Sequence, residues 1–304
     1  MAEDTANFDT MKTWEIFLAP SIFMRKIAHN VITPLDRLLG SPLRKFVDWL
    51  EKKWQEDNEI HRFALLETEE DEYLLIHIFS NLKIWLYGAM LEEARPYTYF
   101  DSQMKEGRKN GIMNFYYRCL QRHLYFYGIR DKHYLSKNPH FSPMIDTLYR
   151  YFPDLKIIYL ARNPLDMIPS YISLKETEWK FLGDPLEEYK SREYILDMAH
   201  HWYNYPLERL ELAPQDSYIV VNFNELVTNA KETVSGIYER FGLDISPEFE
   251  QTLDEATEQA RNHKSDHTYS LEEMGLTREE IVEQYQDIFT RFKFDTREPK
   301  GTST

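Results

Sequence analysis

One cysteine in 304 residues, Cys119, leaves no partner for an internal disulfide, which fits a reducing, cytoplasmic setting. Glycine is scarce too: there are ten, the first at Gly40 inside LLGSPL. No glycine-rich turn precedes the first helices, so a Walker-type phosphate loop, and the kinase-like chemistry that needs one, is excluded. Long apolar runs are missing. The longest apolar-leaning stretch, residues 74–90, is interrupted by His77, Asn81 and Lys83 and is too short to cross a bilayer. The opening MAEDTANFDT lacks the basic and apolar regions of a signal peptide. Positive charge is in deficit, with 36 Lys and Arg against 51 Asp and Glu, a net −15. Such a chain argues against a nucleic-acid partner, a polybasic anchor or stable membrane insertion, yet leaves room for a local anion site. Metal spacing is also absent. His200 and His201 are adjacent and point to different faces, and His263 and His267 lie in a Ser/Asp-rich segment with no HExxH pattern behind them.

What is present is periodic. Residues 14–60 read as amphipathic helix, with Leu35, Leu38 and Leu39, then Phe46, Leu50 and Trp54, at helical spacing and Ser41-Pro42 as a cap and first-turn pair. Residues 67–91 read as one long helix whose acidic start, ETEEDE, suits the helix dipole and whose stripe is Leu74, Ile78, Leu82 and Trp85. KEGRKN at 105–110 reads as a solvated turn, and a Tyr/Phe-rich helix over 110–128 ends near Gly128.

From residue 133 the period changes. His133–Lys137, Lys156–Ala161 and Tyr218–Asn222 read as strands. Helices lie between them: one capped at Ser142-Pro143 and stopped before Pro153, one opened by Asn163-Pro164, and one over 191–212. A helix over 229–241 ends at Gly242, and Thr277 with Glu280 forms a capping box for a helix reaching about 291. Strands separated by helices of this length pair in parallel, so the fold class is α/β. One domain over 1–294 is expected: a mainly helical part at 13–130, an α/β core at 131–245, and a helical part at 246–294, with 295–304 a flexible tail.

The most informative run is 135–173, LSKNPHFSPMIDTLYRYFPDLKIIYLARNPLDMIPSYIS. It ends one strand in Lys137 and another near Arg162, each followed by a capped helix. Cations and helix N-termini therefore gather at one sheet edge, where an anion would sit. At Arg162 and Ser170 the chain resembles the sulfotransferase superfamily, in particular its divergent, mostly bacterial branch. LKIIYLARNPLDMIPSYISL is similar to the superfamily's 3′-phosphate segment: strand, arginine, Asn/Asp-Pro, and a serine eight residues after the arginine. Weaker matches are TWEIFLAPS at 13–21, EEDEYLLIH at 69–77, KNPH at 137–140, VNFNELVTNAKET at 221–233 and HKSDHTYSLEEMGLTREE at 263–280.

The resemblance implies a P-loop-like three-layer α/β fold with a central parallel sheet and a helical N-terminal region on the acceptor side. It implies 3′-phosphoadenosine-5′-phosphosulfate (PAPS) as sulfuryl donor and a small-molecule or lipid-like hydroxylated acceptor. Arg162 and Ser170 carry over as ligands of the 3′-phosphate, and Lys264 as a basic contact near the nucleotide, with Arg261 competing for that place. One departure matters. The family opens with a strand and a Pro-Arg-Ser-Gly-Thr-Thr-like loop for the 5′-phosphosulfate, and nothing here fits it. The sheet is therefore expected to lack its first central strand. Three readings stay open: further sequence upstream, a truncated inactive chain, or a shortened protein with another role.

Sulfuryl transfer needs a base for the acceptor hydroxyl and cations where charge develops. Lys137 takes the cation role, or is an ordinary strand-end lysine. The cytosolic branch has Lys-x-His here with the histidine as base, whereas this chain reads Lys137-Asn138-Pro139-His140, placing His140 one residue late, where it could instead cap the next helix. Glu70 and Asp71 are alternative bases, or simply favourable first-turn charges. His77 is either an acceptor-pocket residue or a core histidine.

Overall fold

A computed structural model describes residues 1–57, 64–87, 90–182, 192–262, 271 and 274–296. In chain order the elements are β1 (Phe8–Asp9), α1 (Thr13–Leu18), α2 (Ile22–Ile27), α3 (Thr33–Leu38), α4 (Pro42–Asp57), α5 (Leu82–Tyr87), α6 (Leu91–Thr98), α7 (Phe100–Gln103), α8 (Glu106–Tyr127) and β2 (His133–Tyr134). There follow α9 (Ile145–Tyr151), β3 (Ile157–Ala161), α10 (Pro164–Leu182), α11 (Arg192–Glu211), β4 (Tyr218–Asn222), α12 (Phe223–Thr228), α13 (Ala230–Phe241), α14 (Pro247–Asn262), α15 (Arg278–Gln284) and α16 (Gln286–Phe292). The fold is mixed α/β, mostly helical with short parallel sheets. It divides into two compact units, Met1–Ile84 with Lys105–Phe141, and Trp85–Met104 with Ser142–Thr304. Among the described residues no helix is long and apolar enough to cross a membrane.

In the first unit β1 pairs in parallel with β2, Phe8 opposite His133 and Asp9 opposite Tyr134. Met11, Ile16, Leu74, Ile112, Met113 and Cys119 form its apolar interior. Charge is buried beside them. Arg25 is fully buried, donating to the Glu15 carbonyl at 3.0 Å and contacting His123 Nδ1 at 3.0 Å. A guanidinium only donates, so His123 Nδ1 accepts and Nε2–H points to Asp9 Oδ2, 2.7 Å away. This chain of contacts ties β1 to α2 and α8.

Two local expectations change here. The KEGRKN segment is not a turn: α8 begins at Glu106 and runs unbroken to a left-handed Gly128 at φ 66°. Residues 67–91 are not one helix. Asp71–Ile78 is a 3-10 helix that ends at Phe79, itself left-handed at φ 49°. The N–H groups of Phe79 and Ser80 fold back onto Ile76 and Leu75, and Asn81 Oδ1 then accepts from Lys83 N at 2.8 Å to open α5. Side-chain acceptors at the break satisfy the backbone better than a continued helix would. Likewise Asp36, rather than Ser41, caps α4, accepting from the Leu43 and Arg44 amides at 2.7 and 3.3 Å.

The second unit keeps the expected strands almost residue for residue. β3 and β4 pair in parallel from Ile157–Tyr218 to Ala161–Asn222. Among the described residues β2 does not join them, because its partner is β1. The core is hydrocarbon and ring: Leu165, Ile168 and Ile172 of α10, Ile195, Ala199 and Leu207 of α11, and Ile281, Tyr285 and Ile288 of the last two helices. Asn163 caps α10 through Leu165 N at 3.0 Å, while the Ser142-Pro143 helix is a 3-10 turn first and an α-helix only from Ile145. The C-terminal capping box forms as expected, with Thr277 and Glu280 bonded reciprocally, but the helix it opens is split at Tyr285 into α15 and α16.

Candidate functional site

Lys137, His140 and Glu70 come together in the first unit. Glu70 Oε1 receives Lys137 Nζ at 2.7 Å, and Oε2 receives Lys83 Nζ at 2.9 Å. Lys83 also reaches Glu72 Oε1 at 3.4 Å, donates to the Tyr73 hydroxyl at 2.7 Å, and lies 4.1 Å from that ring's centre. Glu72 Oε1 in turn meets His140 Nδ1 at 2.5 Å. His140 therefore does not cap the following helix; a buried carboxylate holds it. Glu70, Glu72, Lys83 and His140 are all buried, whereas the Lys137 side chain is 75% exposed.

Asp71 sits between these carboxylates and faces another way. It accepts from Tyr116 Oη at 2.8 Å, Tyr134 Oη at 2.7 Å and Ser136 Oγ at 2.8 Å, and also from Asn138 Nδ2. With the Glu72 amide donating to Asn138 Oδ1 at 3.0 Å, this pins the loop after β2, which carries Lys137, onto the 3-10 helix. Four donors thus meet the two oxygens of Asp71.

The electrostatics follow from the pairing. Burial pushes the Glu70 carboxyl up, but the ammonium groups of Lys83 and Lys137 outweigh it and hold its pKa at about 2. Glu72 is likewise raised by burial and pulled lower by His140 and Lys83. Burial lifts Asp71, with its four donors opposing. Lys83 would be lowered by burial, yet Glu72 and Glu70 raise it well above an ordinary lysine.

One ligand atom each from Glu70, Glu72 and His140 lie within 4.8 Å of one another, a spacing that could hold a cation. The Lys83 ammonium already supplies the positive charge between the two glutamates, so the trio works as an ion-pair network. A cavity of about 410 Å³ in the same unit is lined by Pro20, Gly111, Asn114, Phe115, Arg118 and Arg122 and contains none of these residues. His77 is exposed and bonds the Ile16 carbonyl at 3.1 Å, tying the 3-10 helix to α1.

Arg162 and Ser170 lie in the second unit. Arg162 follows β3, fixed through its carbonyl, which accepts from Tyr203 Oη at 2.5 Å. Its guanidinium stands 5.1 Å from the Phe223 ring centre. Its Nε is buried with no hydrogen-bond partner among the described residues. Burial raises the Asp166 carboxyl one turn along, with Arg162 pulling it back. Ser170 is half-buried on α10. Lys264 lies outside the described residues, as do His263 and His267.

Sequence reasoning missed Lys83 and Glu72. A lysine inside the apolar run at 82–86 was the available signal, since a cation there must find a carboxylate.

Residues 33–247 match the family model described as the sulfotransferase family. Among curated proteins the chain is similar to the omega-hydroxy-beta-dihydromenaquinone-9 sulfotransferases Stf3 of Mycobacterium bovis and Mycobacterium tuberculosis. Each is 24% identical over 180 residues, covering 57% of this chain and 44% of theirs. The chain thus spans less than half the length of the curated relatives it matches. Among solved structures, sulfotransferase STF9 from Mycobacterium avium superposes with a TM-score of 0.73 at 15% identity, over 96% of this chain and 72% of that one. Sulfotransferase STF1 from Mycobacterium tuberculosis H37Rv gives 0.58 at 20% identity, over 94% and 71%. At these identities the superpositions show a shared fold.

Proposed function

The chain belongs to the sulfotransferase family, and we propose that it transfers a sulfuryl group from PAPS to a hydroxyl of a lipophilic acceptor. One observation carries the assignment of roles: His140 and the exposed Lys137 are held by Glu72 and Glu70, two carboxylates from a single helical turn.

A carboxylate only accepts, so the 2.5 Å contact fixes the proton on His140 Nδ1 and leaves the basic lone pair on Nε2. His140 is then the base for the acceptor hydroxyl, and Glu72 steadies the imidazolium that forms. Lys137, tethered but exposed, offers positive charge where negative charge develops on the departing side. Glu70, held near pKa 2, is too weak a base at neutral pH to take a hydroxyl proton, and its role is to aim Lys137. The buried, unpartnered Nε of Arg162 is the kind of donor a 3′-phosphate would satisfy, with Ser170 as a further donor on α10 and Lys264 as a third contact. PAPS supplies the sulfuryl group; the chain supplies binding, proton removal and charge. The named acceptor of the Stf3 relatives makes a hydroxylated isoprenoid quinone the first class to try.

A nucleotide-binding protein without transfer activity is the competing reading, in which Glu70, Glu72, Lys83 and His140 are a buried ion-pair network that only holds the fold together. Labelled PAPS offered with hydroxylated quinones and simple alcohols separates the two. Transfer is expected, and His140→Ala should lower kcat about 10²- to 10⁴-fold with binding of 3′-phosphoadenosine-5′-phosphate unchanged. Nucleotide binding without transfer to any acceptor would favour the competing reading. An Arg162→Ala chain that binds nucleotide as tightly as the parent would overturn the nucleotide site.

A further inference from the structure

The helices between residues 22 and 53 leave unusually large apolar side chains in water. Phe23 is 70% exposed, Leu38 81% and Leu39 72%. On α4, Leu43, Phe46 and Leu50 recur along one face, with Trp49 stacked beside Phe46 at 5.9 Å between ring centres. A soluble monomer rarely leaves so many large apolar side chains exposed along one stretch of chain, so these helices are built to be covered.

Charge indicates by what. This segment has seven Lys and Arg against three Asp and Glu, a local +4 in a chain of −15. Six of the cations, among them Lys26, Arg37, Arg44 and Lys45, are exposed. Two of the three carboxylates are already committed to backbone N–H groups, Asp36 to Leu43 and Arg44, and Glu51 to Leu65 at 2.7 Å. Lys53 Nζ stands 5.7 Å from the Trp49 ring centre, so ring and ammonium lie together as they do where an aromatic belt meets headgroups.

We propose that the exposed face of residues 22–53 docks on an anionic lipid bilayer. A second copy of the chain fits less well, since a two-fold interface would set these cations against their own images. An apolar face flanked by exposed lysines and arginines matches acyl chains below and acidic headgroups around them. The purpose, access to an acceptor dissolved in lipid, rests on the sulfotransferase reading; the binding itself does not.

The test uses the full chain with no donor or acceptor present. Vesicles of phosphatidylcholine alone are compared with vesicles containing roughly a third phosphatidylglycerol. Cys119 is buried, so Leu38→Cys gives one accessible thiol for an environment-sensitive dye. Blue-shifted dye and sedimentation with the anionic vesicles are expected. Trp49→Ser/Phe46→Ser and Arg44→Glu/Lys45→Glu should each weaken this about ten-fold or more, the second pair losing its effect at high salt. No sedimentation, equal binding to neutral vesicles, or unchanged binding by both variants would overturn the proposal. So would a dimer in sedimentation velocity that Trp49→Ser dissolves while vesicles stay unbound. Variants that leave the vesicles yet sulfate a water-soluble acceptor at the parent rate support docking as a separate function. Vesicle binding with no transfer to any acceptor supports docking and sinks only the sulfotransferase reading.

Discussion

The two units of this chain differ in how much charge they bury beside their apolar cores. The first hides Arg25, Glu70, Asp71, Glu72, Lys83, His123 and His140, each answered by a partner within hydrogen-bonding reach. The second hides mainly isoleucines and leucines of α10, α11, α15 and α16 with Tyr203 and Tyr285, and Lys175 of α10 as a buried cation among them. Charged interiors hold their geometry by obligation, because an unanswered ion in a dry site is far more costly than an empty methyl-sized space. Apolar interiors hold it by volume. The proposed proton-handling groups sit in the first kind of interior and the proposed phosphate donors at the edge of the second.

The sharpest way to break the comparison is Lys83→Met. It strips Glu70 and Glu72 of their shared cation and should cost about 3–5 kcal/mol in urea unfolding. Adding Glu70→Gln and Glu72→Gln should recover most of that loss. If the single variant is as stable as the parent, the charged interior is not holding the unit together. In the second unit, Ile168→Ala at a fully buried site should cost about 2–4 kcal/mol, and no charge change elsewhere should rescue it.

Acid separates the units next. Glu70 takes up a proton near 4.5 when unfolded and near 2 when folded, so the unfolded chain binds more protons between those values and stability falls as pH drops through that window. The full effect is about 3 kcal/mol, partly offset by Asp71, whose raised pKa acts in the opposite direction. Glu70→Gln should flatten the acid limb of a stability-against-pH curve. The smallest expected change is Thr277→Ala, which removes the capping box of α15 and should cost about 1 kcal/mol, read as a small drop in melting temperature.

How far the sequence announced all this differs between the units as well. KIIYLA and YIVVN are apolar, β-branched runs between helix caps, and local chemistry decides their state, so the structure returns them nearly unchanged as β3 and β4. The ends of α8 and α13 were legible for the same reason, each closing on a left-handed glycine. EEDEYLLIH was not. Read as an α-helix, its carboxylates fan out at about 3.6 residues per turn, whereas the 3-10 winding of about 3 redistributes them over its faces. Which of Glu70, Asp71 and Glu72 meets a lysine, a tyrosine or a histidine therefore depends on a long-range choice of winding that no local pattern encodes. His140, one residue later than a family pattern would place it, could be located only through Glu72, 68 residues earlier in the chain.

The pairing of β1 with β2 sets an order of events during synthesis. Phe8 leaves the ribosome long before its partner His133, and residues 85–104, which belong to the other unit, emerge between them. The opening strand must wait, unpaired, through more than a hundred residues of elongation, and closing so large a loop is slow by comparison with local helix formation. Over that interval Arg25 lacks His123, 98 residues further on, whereas Glu70 has Lys83 only 13 residues away. The charged interior of the first unit can therefore close only once residues 123–140 have been made, and the apolar interior of the second waits longer still, for α15 and α16.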